Sequence, residues 1–453
     1  MTVASAIRTG SIFGATHYQP PANQSISRLN AVMGCLYALP AKYRWAYADE
    51  DLLMSIAKGE AHKRGIFGNR LSILVKASLG LRLVWPLLSL VGLVELLKLL
   101  FRQSVSTRNR GRRKYGYPTR FFVGFGAGSE EELFKAYSEN HSGKVGKLSQ
   151  IEIGSFAAWH SVGTFSGLRA FVEALATARM AIADLPPDLA PWRVDFLTHI
   201  GMRIGYFAYM RAWFAILKSR SGDRLDEIAF LTGYMPAFAA ADFGLPTCYL
   251  QHGLLSYSVT LMPEFTRIEA LTVDEAKFMS GKLPNAKVIV CPRQQPMFAP
   301  SQLRREALIT SIYGTADYMS PGIAPFIRWA SDNKIPVRVR PHPRETGTFW
   351  FDYEENGGVF IEDVDSSFLH SIDRLRPRIN VSWFSTTLAD SLEYGVIPVT
   401  VSSDDDPAVL NMVYPLFKRS LRWPRDAESI VRLMTDDGYY RLVLARLREG
   451  LPQ

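Results

Sequence analysis

Cysteine is scarce in this chain, with three residues in 453 (Cys35, Cys248 and Cys291), all far apart. That excludes a disulfide-stapled scaffold and leaves no Cys/His spacing suited to a zinc site. Cys248 and Cys291 sit in apolar, strand-like runs, as buried free thiols do, so a reducing cytoplasm is expected. The N-terminus lacks the charged, apolar and cleavage regions of a secretory signal, which points the same way. The chain also lacks an uninterrupted apolar run of the ~20 residues that a membrane span requires. Its 47% hydrophobic and 21% charged residues exclude a disordered chain.

Length and positive charge are what the chain has in plenty. A chain of 453 residues is too long for one ordinary core and implies two domains plus an appendage. A net charge of +9 favours polyanions or an anionic membrane surface as partners. The appendage is the helical N-terminal region 1–116. Within it, 71–101 is strongly apolar but is interrupted by Arg82, Pro86, Glu95 and Lys98. Arg102, Arg108, Arg110, Arg112, Arg113 and Lys114 follow directly. An apolar helix beside a basic cluster suits an anionic membrane interface, and equally a hairpin packed inside the protein beside a solvated loop. The basic cluster has no interleaved aromatics and no recognition motif, so nucleic acid is not an expected partner.

From Tyr117 the pattern turns α/β, and 117–297 reads as a first Rossmann-like domain. Arg120-Phe-Phe-Val-Gly-Phe is a strand that runs into Gly126-Ala-Gly-Ser-Glu-Glu-Glu, a glycine turn and a helix start. Gly124, Gly126 and Gly128 imitate part of a dinucleotide fingerprint, but the glutamates that follow would repel a pyrophosphate. Helices are expected over 168–183 and 192–219. A later strand, Pro246-Thr-Cys-Tyr-Leu, ends at Gln251-His252-Gly253. A linker rich in Pro and Gln covers 292–301, and a second α/β series fills 303–453. One last helix, 427–448, is long enough to cross back over the first domain. Two such series imply an α/β fold of two doubly wound domains facing across a cleft.

The second series carries the clearest chemistry. Ile335-Pro-Val-Arg-Val-Arg-Pro-His-Pro is a buried strand whose end presents Arg340 and His342. Flanking prolines fix the backbone around His342, and Arg338, Arg340 and Arg344 surround it. A loop histidine of purely structural use would have the same local sequence. Arg378-Ile-Asn-Val-Ser-Trp-Phe is a second strand leading into Ser385, Thr386 and Thr387 and then a helix. Hydroxyls at a helix start are built to hold an anion, because orphan N–H groups and the positive dipole end converge there. The same triplet also serves as an ordinary N-cap. Asp390 and Glu393 follow on that helix, and one of them is placed to accept from a ribose. In the first domain, His252 is a candidate general base, with Gly253 allowing close approach of a ligand.

The Arg-Pro-His-Pro strand, the Ser-Thr-Thr helix start with Gly395-Val-Ile-Pro, and Gln-His-Gly together resemble GT-B glycosyltransferases of bacterial surface-polysaccharide assembly. The His-Pro and Ser/Thr elements are similar to those of bacterial sialyltransferases and capsule transferases that use CMP-activated sugars. Gln-His-Gly is similar to the element of CDP-glycerol glycerophosphotransferases. The resemblance covers roughly residues 227–401. It implies inverting, metal-independent transfer from a nucleotide-sugar, with no cofactor, to a glycan or lipid-linked acceptor. It implies phosphate binding by His342, Ser385, Thr386 and Thr387 and base catalysis by His252, with Arg340 read beside them from the strand itself. A peripheral position at the inner face of the cell membrane would suit such an acceptor. The acidic-acidic-Gly motif of sialyltransferases has one match, Asp436-Asp437-Gly438, which lies near the C-terminus and reads as a helix-ending turn. The resemblance also leaves open a glycerophosphotransferase and a glycan-binding protein without catalysis.

Overall fold

The computed structural model describes residues 31–49, 52–53, 55–56, 62, 65–80, 83–109, 118–124, 130–141, 144–231, 235–251, 261–270, 273–291, 297–310, 320–341, 350, 354, 359–362, 368–382, 386–401 and 419–449. Two parallel six-stranded sheets organise it.

The first sheet comprises β1 (Arg120–Gly124), β2 (Val145–Ser149), β3 (Glu227–Phe230), β4 (Thr247–Leu250), β5 (Arg267–Ala270) and β6 (Lys287–Val290), in the spatial order β2-β1-β3-β4-β5-β6. Its central strands are apolar on both faces, as in Phe121-Phe122-Val123, because helices cover both sides of a parallel sheet. In chain order those helices begin with α1 (Ile66–Gly80) and α2 (Val84–Asn109), which precede the sheet. They continue with α3 (Glu130–Glu139), α4 (Ile153–Ala157), α5 (Thr164–Ala183), α6 (Arg193–Ser221), α7 (Met235–Asp242) and α8 (Val273–Lys282).

The helix α6 is the axis of this half. Phe196, Ile200, Ile204, Phe207, Trp213 and Phe214 are all buried, on more than one side of the helix. The helix α2 runs against it at backbone distance: a Cβ on Gly205 would run into the Gly92 carbonyl, and one on Gly201 would lie 2.8 Å from Leu88. Helix α2 is continuous through Pro86, Glu95 and Lys98, the interruptions seen in the sequence. The expected N-terminal appendage is helical, and its inner side belongs to the same core as the first sheet. Trp45 stacks on Phe207 with ring centroids 4.2 Å apart, and one apolar cluster extends from Val32 to Leu283.

The second sheet has β7 (Arg304–Thr310), β8 (Val337–Arg340), β9 (Phe360–Ile361), β10 (Pro377–Ser382), β11 (Ile397–Val401) and β12 (Leu421–Trp423), in the order β12-β11-β10-β7-β8-β9. Its helices are α9 (Ser320–Asp332), α10 (Phe368–Leu375), α11 (Thr386–Glu393), α12 (Ala427–Thr435) and α13 (Asp437–Arg448). The order is that of a dinucleotide-binding fold, whereas the first sheet begins in flavodoxin-like order. The core of this half, from Phe298 to Leu447, is separate from the first. The two doubly wound α/β domains expected from the sequence are therefore present.

The single helix expected over 427–448 is two, α12 and α13, broken at Asp436. The Asp436 carboxylate accepts from the Tyr439 backbone N–H at 2.9 Å and so caps α13. The Asp-Asp-Gly turn thus ends one helix and starts the next. Helix α13 does not cross to the first domain but packs on its own. The Tyr440 hydroxyl sits between the carbonyls of Arg378 and Gly395 at 2.9 and 2.6 Å. Arg448 donates to the carbonyls of Leu392 and Glu393, both at 3.3 Å, at the end of α11.

Candidate functional site

In an open doubly wound sheet the ligand crevice lies at the carboxyl ends of the strands, where the strand order reverses. In the second sheet that point is between β7 and β10. Strand β7 ends in Thr310 and β10 in Ser382, and both are buried. Alternation along β10 puts the apolar Ile379 and Val381 on one face and the polar Asn380 and Ser382 on the other.

These polar ends form a connected network with the first turn of α11. The Thr310 hydroxyl donates to Asn380 Oδ1 at 3.1 Å and lies 2.7 Å from the Thr387 hydroxyl. With the Thr310 proton directed to Asn380, Thr387 is the donor of that pair. Asn380 Nδ2 donates to the Thr387 carbonyl at 3.1 Å and to Ser391 Oγ at 2.7 Å. The Ser382 hydroxyl donates to the Thr310 carbonyl at 2.7 Å. Together these bonds fix the N-terminal turn of α11 over the ends of β7 and β10. First-turn N–H groups have no intrahelical acceptor, so they and the dipole favour an anion in front of them.

Arg340 belongs to the same place. It closes β8 in register with Thr310. It is buried, its Nε donates to Ser371 Oγ at 3.3 Å, and burial pulls its basicity down. Arg338, two residues earlier, is committed elsewhere: it pairs with Glu306 at 2.7 Å and Glu362 at 2.9 Å. Thr386 opens α11, and Asp390 is half-buried one turn beyond Thr387. Glu393 closes the helix, roughly 10 Å along its axis from Thr386 at ~1.5 Å per residue. Asp390 is thus the carboxylate nearer the crevice end. His342, Arg344 and Ser385 lie outside the described residues.

The first domain offers different groups. At the end of β4, Gln251 is buried, and its Nε2 donates to Glu275 Oε1 at 2.6 Å. Glu275 is fully buried in the first turn of α8. That pair, together with the bond from Gln251 N–H to the Glu269 carbonyl at 3.0 Å, fixes the backbone immediately before His252. His252 and Gly253 lie outside the described residues. At this sheet's own reversal point, between β1 and β3, the Glu130 carboxylate is packed directly on Gly124, where a Cβ would collide with it. Lys147 Nζ is 3.7 Å from Glu130 Oε1.

Sequence reasoning did not single out Thr310, Asn380, Ser382 or Glu275. For the first three a signal existed: polar residues at the ends of otherwise apolar strands, alternating with branched ones. Glu275 had none, because an acid in a first helical turn is usually a solvated charge.

No protein-family model matches this sequence, and no curated protein does. Among solved structures the chain is similar to S. aureus MnaA in a co-structure with UDP, at 10% identity and a TM-score of 0.42, over 72% of this chain and 90% of that one. It is similar to the Methanocaldococcus jannaschii UDP-GlcNAc 2-epimerase in complex with UDP-GlcNAc and UDP, at 9% identity and 0.42, over 73% and 99%. It is also similar to the glycotransferase of kitacinnamycin, at 13% identity and 0.40, over 73% and 94%.

Proposed function

We propose that this chain is a GT-B-type glycosyltransferase. It takes a nucleotide-activated sugar at the reversal point of the second sheet and passes the sugar to an acceptor held by the first domain. The observation that supports this best is the Thr310–Asn380–Thr387 network, which presents the α11 N-terminus beside Arg340 at the end of β8.

In this reading His252 removes the proton of the acceptor hydroxyl, whose oxygen attacks the anomeric carbon. The bond to the nucleotide phosphate breaks, and its electron pair leaves with the phosphate. Negative charge grows at that phosphate, which the α11 dipole and N–H groups, Thr387 and Arg340 stabilise, with His342, Ser385 and Thr386 assigned to it from the sequence motifs. Asp390 or Glu393 accepts from the ribose. Inversion follows from a single displacement, and neither metal nor cofactor takes part. The Arg-Pro-His-Pro and Ser-Thr-Thr elements favour a CMP-activated donor of the sialic-acid or Kdo kind. The acceptor is then a surface polysaccharide or lipid-linked glycan at the inner face of the membrane.

Calorimetry with CMP, CDP, UDP and GDP tests the site. One nucleotide should bind, and Thr387→Val and His342→Ala should each weaken it while the melting temperature shows the fold retained. No binding by the wild type, or equal binding by both variants, would remove the assignment. Gln251-His252-Gly253 on its braced strand end also suits a glycerophosphotransferase acting on a CDP carrier. Mass spectrometry of the product separates the two, because only that reaction leaves a phosphodiester.

A further inference from the structure

The first domain carries a surface that the proposed chemistry does not use. Helix α2 has two apolar stripes. Val84, Leu88, Gly92, Leu96, Leu99 and Gln103 are buried, the stripe facing α6, and Gln103 Nε2 donates to the Val162 carbonyl at 3.0 Å. The opposite stripe is exposed: Leu90 at 62%, Leu97 at 47% and Phe101 at 69%. Val84–Ser106 is long and apolar enough to cross a membrane, but it is packed lengthwise against α6 as a wall of the domain.

Its neighbours repeat the pattern. Helix α1 buries Leu71 and Val75 and exposes Ile66, Phe67, Ile73 and Leu74. Helix α5 buries Ala170, Ala174 and Ala178 and exposes Phe165, Leu168 and Val172. The two outer helices touch α2: Leu71 of α1 and Leu88 of α2 meet over Gly201, Leu100 lies against Gly167 of α5, and the Arg179 guanidinium sits 5.4 Å over the Trp85 ring. Each helix turns its bare stripe away from the core, and because α2 contacts both α1 and α5 the bare stripes lie on adjoining helices. An apolar area spread over three helices exceeds the scattered exposure usual on a soluble surface.

The charges on this side select the occupant. Helices α1 and α2 expose Arg70, Lys76, Lys98 and Arg102. The one acid on either helix, Glu95, is half-buried, and burial pushes its carboxyl up to about 7. On α5, Glu173 is paired with Arg169 at 3.1 Å and Arg211 at 3.0 Å. A second copy of this chain would bring like charges together. A bilayer with anionic headgroups matches both the apolar stripes and the cations around them.

We infer that the outer faces of α1, α2 and α5 form a docking surface by which the first domain lies on an anionic lipid bilayer without crossing it. The inference is independent of the transfer reaction.

The test is co-sedimentation of the full chain with vesicles of phosphatidylcholine, with and without phosphatidylglycerol. Two double variants on different helices are compared, Leu90→Glu with Leu97→Glu, and Phe165→Glu with Val172→Glu. Wild type should pellet with the anionic vesicles and much less with neutral ones, and each double variant should lower partitioning roughly tenfold or more. Wild type that stays in solution overturns the proposal, as do variants that bind unchanged. If light scattering shows a lipid-free dimer that both variants dissociate, the face belongs to a second copy. If both variants lower the melting temperature and leave vesicle binding as it was, the chain itself covers the face. Calorimetry with nucleotides should read the same in all three proteins, which keeps this result apart from that of the second domain.

Discussion

Both sheets of this protein reverse direction once, and the residues placed there differ in kind. Between β1 and β3 a glutamate carboxylate lies on Gly124 with a lysine ammonium 3.7 Å away. Between β7 and β10 there are neutral hydroxyls and an amide, with a buried guanidinium on the adjoining strand. A phosphate brought to the first place meets negative charge in the space that its backbone contacts would need. At the second it meets donors and a helix N-terminus. Parallel strands create a crevice in both domains, and strand-end side chains decide which crevice takes an anion.

The division of labour should first appear in catalysis. His252→Ala is expected to lower kcat by roughly 10²–10⁴-fold, the usual worth of a general base. Its nucleotide Kd should not move, measured by calorimetry beside a transfer assay. If affinity falls with rate, His252 belongs to the donor side and the comparison breaks. Arg340→Met should weaken nucleotide binding by about 10- to 100-fold, since bonds to charged groups contribute ~1.5–3 kcal/mol. Unchanged affinity in a well-folded variant would place the phosphate elsewhere.

Gly124→Ala tests the first place sterically. The new methyl must displace the Glu130 carboxylate, so unfolding of the first domain should ease by about 1–3 kcal/mol, read from denaturant midpoints. Nucleotide affinity should be retained, because the two cores are separate. The smallest effect is expected from Glu130→Gln, which should leave nucleotide Kd within about twofold, well inside the ~1.4 kcal/mol that a tenfold change represents. Tighter binding after that change would show that the first crevice, not the second, competes for the donor.

Apolar runs alternating with capped, periodic segments made β1, β4, β8 and β10 legible, and they lie where the sequence places them. Arg340 and the Ser-Thr-Thr helix start were legible as chemistry in a strand-turn-helix frame. The partners were not. Thr310 and Ser382 lie 72 residues apart and meet only because β10 inserts beside β7, which strand order decides and local pattern does not. Arg338 looked like part of the anion site until Glu306 and Glu362, also distant in sequence, were found against it. The exposed stripe of α2 was visible as an apolar run. Its companion on α5 was hidden, because Arg169 and Glu173 dilute Phe165, Leu168 and Val172.

The contacts of α13 also set a schedule. On the ribosome the first core can close once Leu283 has emerged, since its members lie between Val32 and Leu283. The second cannot, because Tyr440 and Arg448 supply the groups that hold Arg378, Gly395 and the rear of α11. Domains fold in order of synthesis, so the first half would stand finished while the second waits for its final helix. A half-made chain would then carry the surface of α1, α2 and α5 before it had the helix that braces α11.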